Sequence, residues 1–187
     1  IAQSIQKESL VAQLREANAA LIAHSYTDAL TGLYNRRFFY EYMNENRKEN
    51  QLSLLYVDLD DFKKVNDAHG HHIGDGALEL VARLMREAFP GDFIVRLGGD
   101  EFLICLVGER SLAFLEEKAN RLLQSLLEAF QVSDYLRVMS ASIGIASSAD
   151  PGTKLDDLVR QSDIAMYAAK QSGKSRCCVY SSGLIKK

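Results

Sequence analysis

The sequence predicts an α+β fold, a central sheet containing antiparallel strands, flanked by helices and preceded by a helical extension. Three observations carry that prediction. Phe93-Ile94-Val95 and Leu103-Ile104-Cys105-Leu106-Val107 are strand-forming runs joined through Arg96-Leu97-Gly98-Gly99-Asp100-Glu101-Phe102, and a Gly-Gly pair between such runs signals a tight hairpin. Leu52-Ser53-Leu54-Leu55-Tyr56-Val57 is almost continuously apolar, as in a strand buried on both faces. Residues 76–89 and 111–130 instead repeat apolar side chains at the spacing of a helix.

Composition narrows the function classes. A chain of 187 residues with 47% hydrophobic content suffices for one sizeable core with an appendage. A net charge of -3 argues against a general nucleic-acid or membrane-surface binder, which needs a concentrated basic face. No apolar run approaches the ~18 residues of a membrane span, and Ile1-Ala2-Gln3-Ser4 lacks the parts of a signal peptide. Cys105, Cys177 and Cys178 form neither a staple framework nor a metal-ligand spacing, so a reducing cytoplasm is the expected compartment. A chain that starts at isoleucine is expected to be part of a longer protein.

Residues 1–26 contain no Pro or Gly, and Leu10, Leu14, Ala17 and Leu21 make a coiled-coil-like seam of about two heptads. Pairing with a second copy and packing on the chain's own domain through Val11, Ile22 and Ala23 both fit. Thr27-Asp28-Ala29-Leu30-Thr31-Gly32 then brings turn chemistry, with Asp28 and Thr31 able to bond nearby N–H groups. The expected division is therefore an extension, 1–26, a domain, 27–182, and a tail, 183–187. From Leu33 to Lys48 a helix is expected, with Phe38, Phe39, Tyr42 and Met43 on one face. Its paired Arg36 and Arg37 oppose the helix dipole, so they are expected to hold a carboxylate or phosphate.

The apolar strand ends in Asp58-Leu59-Asp60-Asp61. One acid is expected to cap the following helix, Phe62 to Ala68, but one cap does not require three acids. Asp58 falls inside the strand, where an unpaired carboxylate is costly, so it needs a partner such as a cation. Free N–H groups near Phe62 and Lys63 suit phosphate oxygens, with Lys63 and Lys64 adding positive charge. An EF-hand loop is excluded, since Phe62 and Lys63 stand where a ligand and a glycine are needed. At the hairpin, Asp100 and Glu101 beside bare Gly98 and Gly99 suit an anion approaching through a metal, although a solvated turn would look the same.

His69, His71 and His72 lack the further ligands of a zinc site. Asp75 is placed as the N-cap of the helix 76–89, which Pro90-Gly91 ends. Ser111 opens a packing helix to Phe130, and 136–146 is expected to be a strand whose Gly144 permits a bulge or close backbone approach. The last helix, 155–171, stops before Gly173, and 176–180 is a short strand. Lys170 and Lys174 sit at that helix's carboxyl end, where they complement its dipole. Gly173-Lys174-Ser175 is no Walker-type phosphate loop, because Ala168 replaces the earlier glycine and the element follows a helix.

In order, these elements contain the split β-α-β-β-α-β pattern of ferredoxin-like folds. The motifs are more specific. Arg96-Leu97-Gly98-Gly99-Asp100-Glu101-Phe102 resembles the signature of the GGDEF family of diguanylate cyclases. Asp28-Ala29-Leu30-Thr31-Gly32-Leu33-Tyr34-Asn35-Arg36-Arg37 resembles that family's opening D-x-L-T-G-L-x-N-R-R. Asp58-Leu59-Asp60-Asp61-Phe62-Lys63-Lys64-Val65-Asn66-Asp67 and Gly70-His71-His72-Ile73-Gly74-Asp75 resemble its D-x-D-x-F-K-x-x-N-D and G-H-x-x-G-D block. Ser142-Ile143-Gly144-Ile145-Ala146 and Asp163-Ile164-Ala165-Met166-Tyr167-Ala168-Ala169-Lys170 resemble its later strand and helix, so the resemblance runs from about 27 to 180.

The resemblance implies a palm-like, nucleotidyl-cyclase-like sheet and the condensation of two GTP into cyclic di-GMP with release of pyrophosphate. It implies that Asp58, Asp100 and the Leu59 carbonyl hold Mg2+ or Mn2+, two per half-site; carboxylate and phosphate oxygens are the ligands magnesium prefers. Asp100 or Glu101 would help deprotonate the attacking hydroxyl, and Phe62, Lys63 and Lys170 would hold the triphosphate beside Gly98 and Gly99. Asn66 and Asp75 would read guanine. One half-site holds one GTP, so a homodimer is implied, served by the amino-terminal helix and an upstream sensory domain. A catalytically silent GTP- or cyclic-di-GMP-binding module of the same family is the alternative, and a pure dimerisation segment is a third. One departure stands out. The family's inhibitory R-x-x-D site corresponds to Phe89-Pro90-Gly91-Asp92, with phenylalanine in place of arginine, so product inhibition there is expected to be weak or absent.

Overall fold

Strand-forming runs and amphipathic helices assemble into one six-stranded sheet with an apolar cluster on each face. The computed structural model describes residue 13 and residues 25–47, 50–148 and 152–185. The expected seam at Leu10, Leu14, Ala17 and Leu21 lies outside the described residues. In chain order the elements are β1 (Tyr34–Asn35), α1 (Arg36–Asn46), β2 (Leu52–Asp60), α2 (Phe62–His69), α3 (His71–Ala88), β3 (Phe93–Gly98) and β4 (Glu101–Val107). There follow α4 (Leu112–Gln131), β5 (Ser140–Ser147), α5 (Leu155–Gln171), β6 (Arg176–Val179) and a 3₁₀ turn, Ser182–Ile185.

The sheet order is β1-β3-β4-β2-β5-β6. Its middle strands, β3-β4-β2-β5, pair antiparallel and make the ferredoxin-like core, with the parallel partners β1 and β6 at the edges. All nine residues of β2 are buried, as its apolar run requires. Leu55, Val57 and Leu59 pack with α2, α3 and α4, whereas Leu52, Leu54 and Tyr56 pack with α1 and α5. Gly144 sets how closely α5 lies on β5. A Cβ there would come within 1.9 Å of the Ser162 carbonyl and 2.1 Å of the Met166 nitrogen.

Several expectations need correction. The helix expected from residue 76 begins at His71, so Asp75 sits inside α3 and caps nothing. Gly70, at φ 88, is a one-residue kink between α2 and α3 rather than part of a loop. The strand expected from Leu136 begins at Ser140, because Leu136 and Met139 are buried from a turn closed by Met139 N–H to the Leu136 carbonyl. Arg37 pairs with Glu41 on an exposed helix surface, and Arg36 lies 5.7 Å from the Tyr40 ring centroid. Neither arginine faces the acids at the end of β2. His69, His71 and His72 are exposed. Among the described residues no helix is long and apolar enough to cross a membrane.

Candidate functional site

The three acids closing β2 have three different partners. Asp58, 8% exposed, accepts from Lys170 Nζ at 2.6 Å, a contact brought from the far end of α5. Asp60, 1% exposed, accepts from Ser140 Oγ at 2.7 Å, Ser142 Oγ at 2.9 Å and the Ser175 N–H at 3.3 Å. It clamps β2 to β5 and to the turn after α5. Asp61 pairs with Lys64 at 2.7 Å and with Lys174 at 2.9 Å. Lys174, expected only to complement a dipole, thus ties the end of α5 to the start of α2.

None of these acids caps α2 through its side chain, which corrects the expected cap. Asp61 occupies the cap position at φ 61, and its carboxylate is drawn to the two lysines instead. Asp61, Lys174 and Ser175 are the described non-glycine residues with positive φ, and all three meet at this seam. Each such conformation costs on the order of 1–3 kcal/mol, and strain of this kind concentrates where a site must be held in shape. The first backbone bond of α2 runs from Lys64 N–H to the Asp61 carbonyl, which leaves the Phe62 and Lys63 N–H groups outside the helical ladder. The Phe62 ring is buried and Lys63 is exposed.

The hairpin brings the remaining acids to the same place. Gly98 pairs with Glu101, so Gly99 and Asp100 are the two turn residues. Gly99 has φ 52 and Asp100 is not left-handed, the pattern of a II′ turn with glycine first. A Cβ at Gly98 or Gly99 would meet nothing within 4 Å, so the tip backbone is bare. Glu101 is not at the tip; it opens β4 directly opposite Asp58. Burial and the nearby charges of Glu101 and Asp163 hold the Tyr56 hydroxyl well above its ordinary value. The Leu59 N–H donates to the Asp100 carbonyl at 3.2 Å, which fixes the tip against the end of β2. Asp58, Leu59, Asp100, Glu101 and Lys170 therefore converge.

Arg96 secures the turn, a contact that sequence reasoning missed. Its Nε and Nη2 donate to the Gly99 carbonyl at 3.1 and 2.8 Å, and its Nη1 donates to both Asp28 oxygens at 3.0 and 3.1 Å. Asp28 also accepts from the Thr31 N–H at 2.8 Å and the Thr31 hydroxyl at 2.6 Å. Burial opposes ionisation of Asp28, but these Thr31 and Arg96 bonds outweigh it and hold its carboxyl below the usual range. The signal was available. Asp28 opens the first motif and Arg96 opens the signature, so both belong to the patterns that carry the resemblance. Upstream, the Ser25 carbonyl accepts from Asn35 Nδ2 at 2.8 Å and the Tyr26 ring lies 5.0 Å from that of Phe38, so the extension's end is anchored beside this turn.

Asn66 and Asp75 lie on adjoining helices next to the kink. The Asn66 Oδ1 is buried without a hydrogen-bond partner among the described residues, packed toward Gly74, and Asp75 follows that glycine on an exposed face. Phe89 and Asp92 lie elsewhere, at the end of α3. Phe89 is 1% exposed within the core, with Lys118 Nζ 4.9 Å from its ring centroid, so this position faces inward. Burial raises the Asp92 carboxyl, partly offset by Arg110 and Lys118. A hollow of about 460 Å³ lined by Tyr40, Arg47 and Lys154 is unconnected with the acids. It lies at the other end of α5, about 22 Å from Lys170 along the helix.

The donor set suits a hard divalent cation. Two carboxylates and a backbone carbonyl are oxygen donors of the kind Mg2+ takes, the remaining positions falling to substrate phosphates and water. Among the described residues no three His, Cys, Asp or Glu side chains form a ready-made cage. Burial pushes the Asp58 carboxyl up to about 6; the Lys170 hydrogen bond pulls it back, and Asp100 and Glu101 push it further. Such a carboxylate gains from a cation. In the cation-free protein, the folded value above the unfolded one makes the Asp58 contribution to stability full below about pH 4 and lost as pH rises through about 6. The gap corresponds to on the order of 2–3 kcal/mol. Asp58→Asn should therefore gain on the wild type by about 2 kcal/mol between pH 4.5 and 7.5 in urea unfolding; a constant difference would contradict the assignment.

Comparison with known proteins agrees with this geometry. The diguanylate cyclase GGDEF domain family matches residues 25–176. The chain is 42% identical over 178 residues to diguanylate cyclase DgcP of Escherichia coli (strain K12), covering 91% of this chain and 52% of that protein. It is 36% identical over 174 residues to the cyclic di-GMP phosphodiesterase PdeR of the same organism, covering 91% of this chain and 26% of that one. The chain thus spans about half or less of these curated relatives. Among solved structures, the coiled coil and GGDEF domain of DgcB from Caulobacter crescentus in complex with c-di-GMP aligns with a TM-score of 0.86 and 26% identity, covering 95% of this chain and 97% of that one. Sequence motifs, sheet and relatives agree: the chain belongs to the GGDEF diguanylate cyclase family.

Proposed function

We propose that the chain is a diguanylate cyclase in which two copies, each holding one GTP, join the nucleotides into cyclic di-GMP and release two pyrophosphates. The observation that carries the reading is the convergence of Asp58, Asp100, Glu101 and Lys170 beside the uncapped start of α2. The N–H groups of Phe62 and Lys63 and the Lys63 ammonium bind the triphosphate, the geometry in which a helix start receives an anion. Lys170 holds Asp58 while the site lacks nucleotide and turns to phosphate when GTP enters. Gly98 and Gly99 leave the tip clear for the nucleotide, and Asn66 with Asp75 reads its guanine.

Asp58, Asp100 and the Leu59 carbonyl would hold Mg2+ or Mn2+, two ions per half-site, which when bound neutralise phosphate charge and acidify the attacking hydroxyl. Asp100 or Glu101 takes the ribose 3′-hydroxyl proton as that oxygen attacks the other nucleotide's α-phosphorus. The site works in the cytoplasm on GTP, under an upstream sensory domain, without nucleic acid or membrane contact. Likeness to a phosphodiesterase gives some support to the rival reading of a silent nucleotide-binding module. The full set of Asp58, Lys63, Asp100, Glu101 and Lys170 opposes it.

Each chain carries one set of these groups, so attack on a second nucleotide requires a second copy. Turnover per chain is therefore expected to rise with protein concentration when GTP and Mg2+ are saturating. A rate strictly proportional to enzyme concentration from the dilute limit upward would contradict the dimeric mechanism.

A further inference from the structure

Glycine inside a helix is less stable than alanine, and α3 contains two glycines, Gly74 and Gly76. Neither has the left-handed backbone that would demand glycine. They differ in what surrounds them. A Cβ at Gly76 would meet nothing within 4 Å, whereas one at Gly74 would come within 1.9 Å of Asn66 Oδ1, 2.9 Å of Asn66 Cγ and 3.2 Å of Phe62 Cζ. The Asn66 oxygen lying there is buried and has no hydrogen-bond donor among the described residues. The space beside Gly74 therefore receives this oxygen, and a buried acceptor left without a donor is costly enough to need a reason.

We infer that Gly74 is a specificity-determining positioning residue: the space left by its missing side chain seats the Asn66 amide with its oxygen inward and its nitrogen toward the nucleotide base. This rests on the reading of Asn66 as a guanine contact. An amide whose oxygen is buried presents only donors. Donors suit the keto oxygen at position 6 of guanine and reject a purine with an amino group there. An alanine at 74 would displace the amide, and Phe62 beside it, without touching Asp75.

The test uses the full chain with Mg2+ and the α,β-methylene analogues of GTP, ITP and 2-aminoadenosine triphosphate, which bind without releasing pyrophosphate. The wild type should prefer the GTP analogue over the 6-amino compound, and Gly74→Ala should lower that preference about tenfold. The preference over the ITP analogue, which reads the 2-amino group at Asp75, should stay within about twofold. Gly76→Ala should bind as the wild type does and raise the melting temperature by about 2–4 °C. Asn66→Ala should lose the 6-position preference as Gly74→Ala does. The double variant Asn66→Ala/Gly74→Ala should melt above Gly74→Ala, because the clashing amide is gone, without regaining the preference. If Gly74→Ala does not fold but the double variant does, the contact with Asn66 is upheld directly. If neither folds, the space serves packing on Phe62 and the inference fails. Retained preference in Gly74→Ala with loss in Asn66→Ala overturns the role of Gly74 and leaves the guanine reading standing. Retained preference in Asn66→Ala overturns the guanine reading, and the inference with it.

Discussion

Asp100→Ala is expected to lower cyclic di-GMP formation by at least about 100- to 1,000-fold while leaving the fold intact, measured as product released from GTP and as the melting temperature. Asp100 stands at the second position of a two-residue turn, and its carboxylate makes no hydrogen bond or ion pair among the described residues. Nothing in the packing needs it. The turn itself is held by the Leu59 N–H bond and by Arg96, both of which engage backbone carbonyls and survive the substitution. What disappears is one of the two carboxylates that would face the nucleotide's phosphates. Asp60, in the same cluster, is engaged by two serines and a backbone N–H, so its neighbourhood is structural where that of Asp100 is open. Activity in Asp100→Ala within about tenfold of wild type would remove the basis for the proposed chemistry.

Arg96→Ala is expected to cost about 10- to 100-fold in product formation and to lower the melting temperature by several degrees. The guanidinium is 14% exposed and its Asp28 partner 24%, so the pair is shielded from solvent. Breaking it should remove roughly 1–3 kcal/mol and free the Gly99 carbonyl, allowing the tip to drift from Asp58. Asp28→Asn should act in the same direction. Because the two residues touch, the double variant should lose less than the sum of the single losses, with a coupling of about 1–2 kcal/mol. Arg96→Lys should not restore activity fully, since a single ammonium cannot fork between two acceptors as the guanidinium does. Wild-type turnover by Arg96→Ala at a temperature where it remains folded would show that the turn needs no such anchor.

How much of this was legible in the sequence depended on the distance over which each feature is determined. Local patterns were legible. The apolar run of β2, the Gly-Gly hairpin, the Ser111 cap and the span of α5 all appear as expected. The start of α3 was not, because His71-His72 carries no apolar periodicity and Gly70 looked like loop material when it is a tight kink. Leu136 and Met139 read as strand in the sequence because burial in a turn uses the same apolar residues as burial in a sheet. Asp58 was recognised as needing a positive partner, but the partner present in the chain, Lys170, lies 112 residues away and only the fold brings it near. The same holds for Lys174 on Asp61 and Arg96 on Asp28, separated by 113 and 68 residues. Of the paired arginines, Arg37 holds a carboxylate as expected, but it is that of Glu41 one turn along its own exposed helix, while Arg36 lies over the Tyr40 ring.

Incubation of the chain with GTP and Mg2+ at a concentration that supports dimers, followed by chromatography, should yield cyclic di-GMP and two equivalents of pyrophosphate per product. GTP recovered bound but unchanged under those conditions would contradict the cyclase reading.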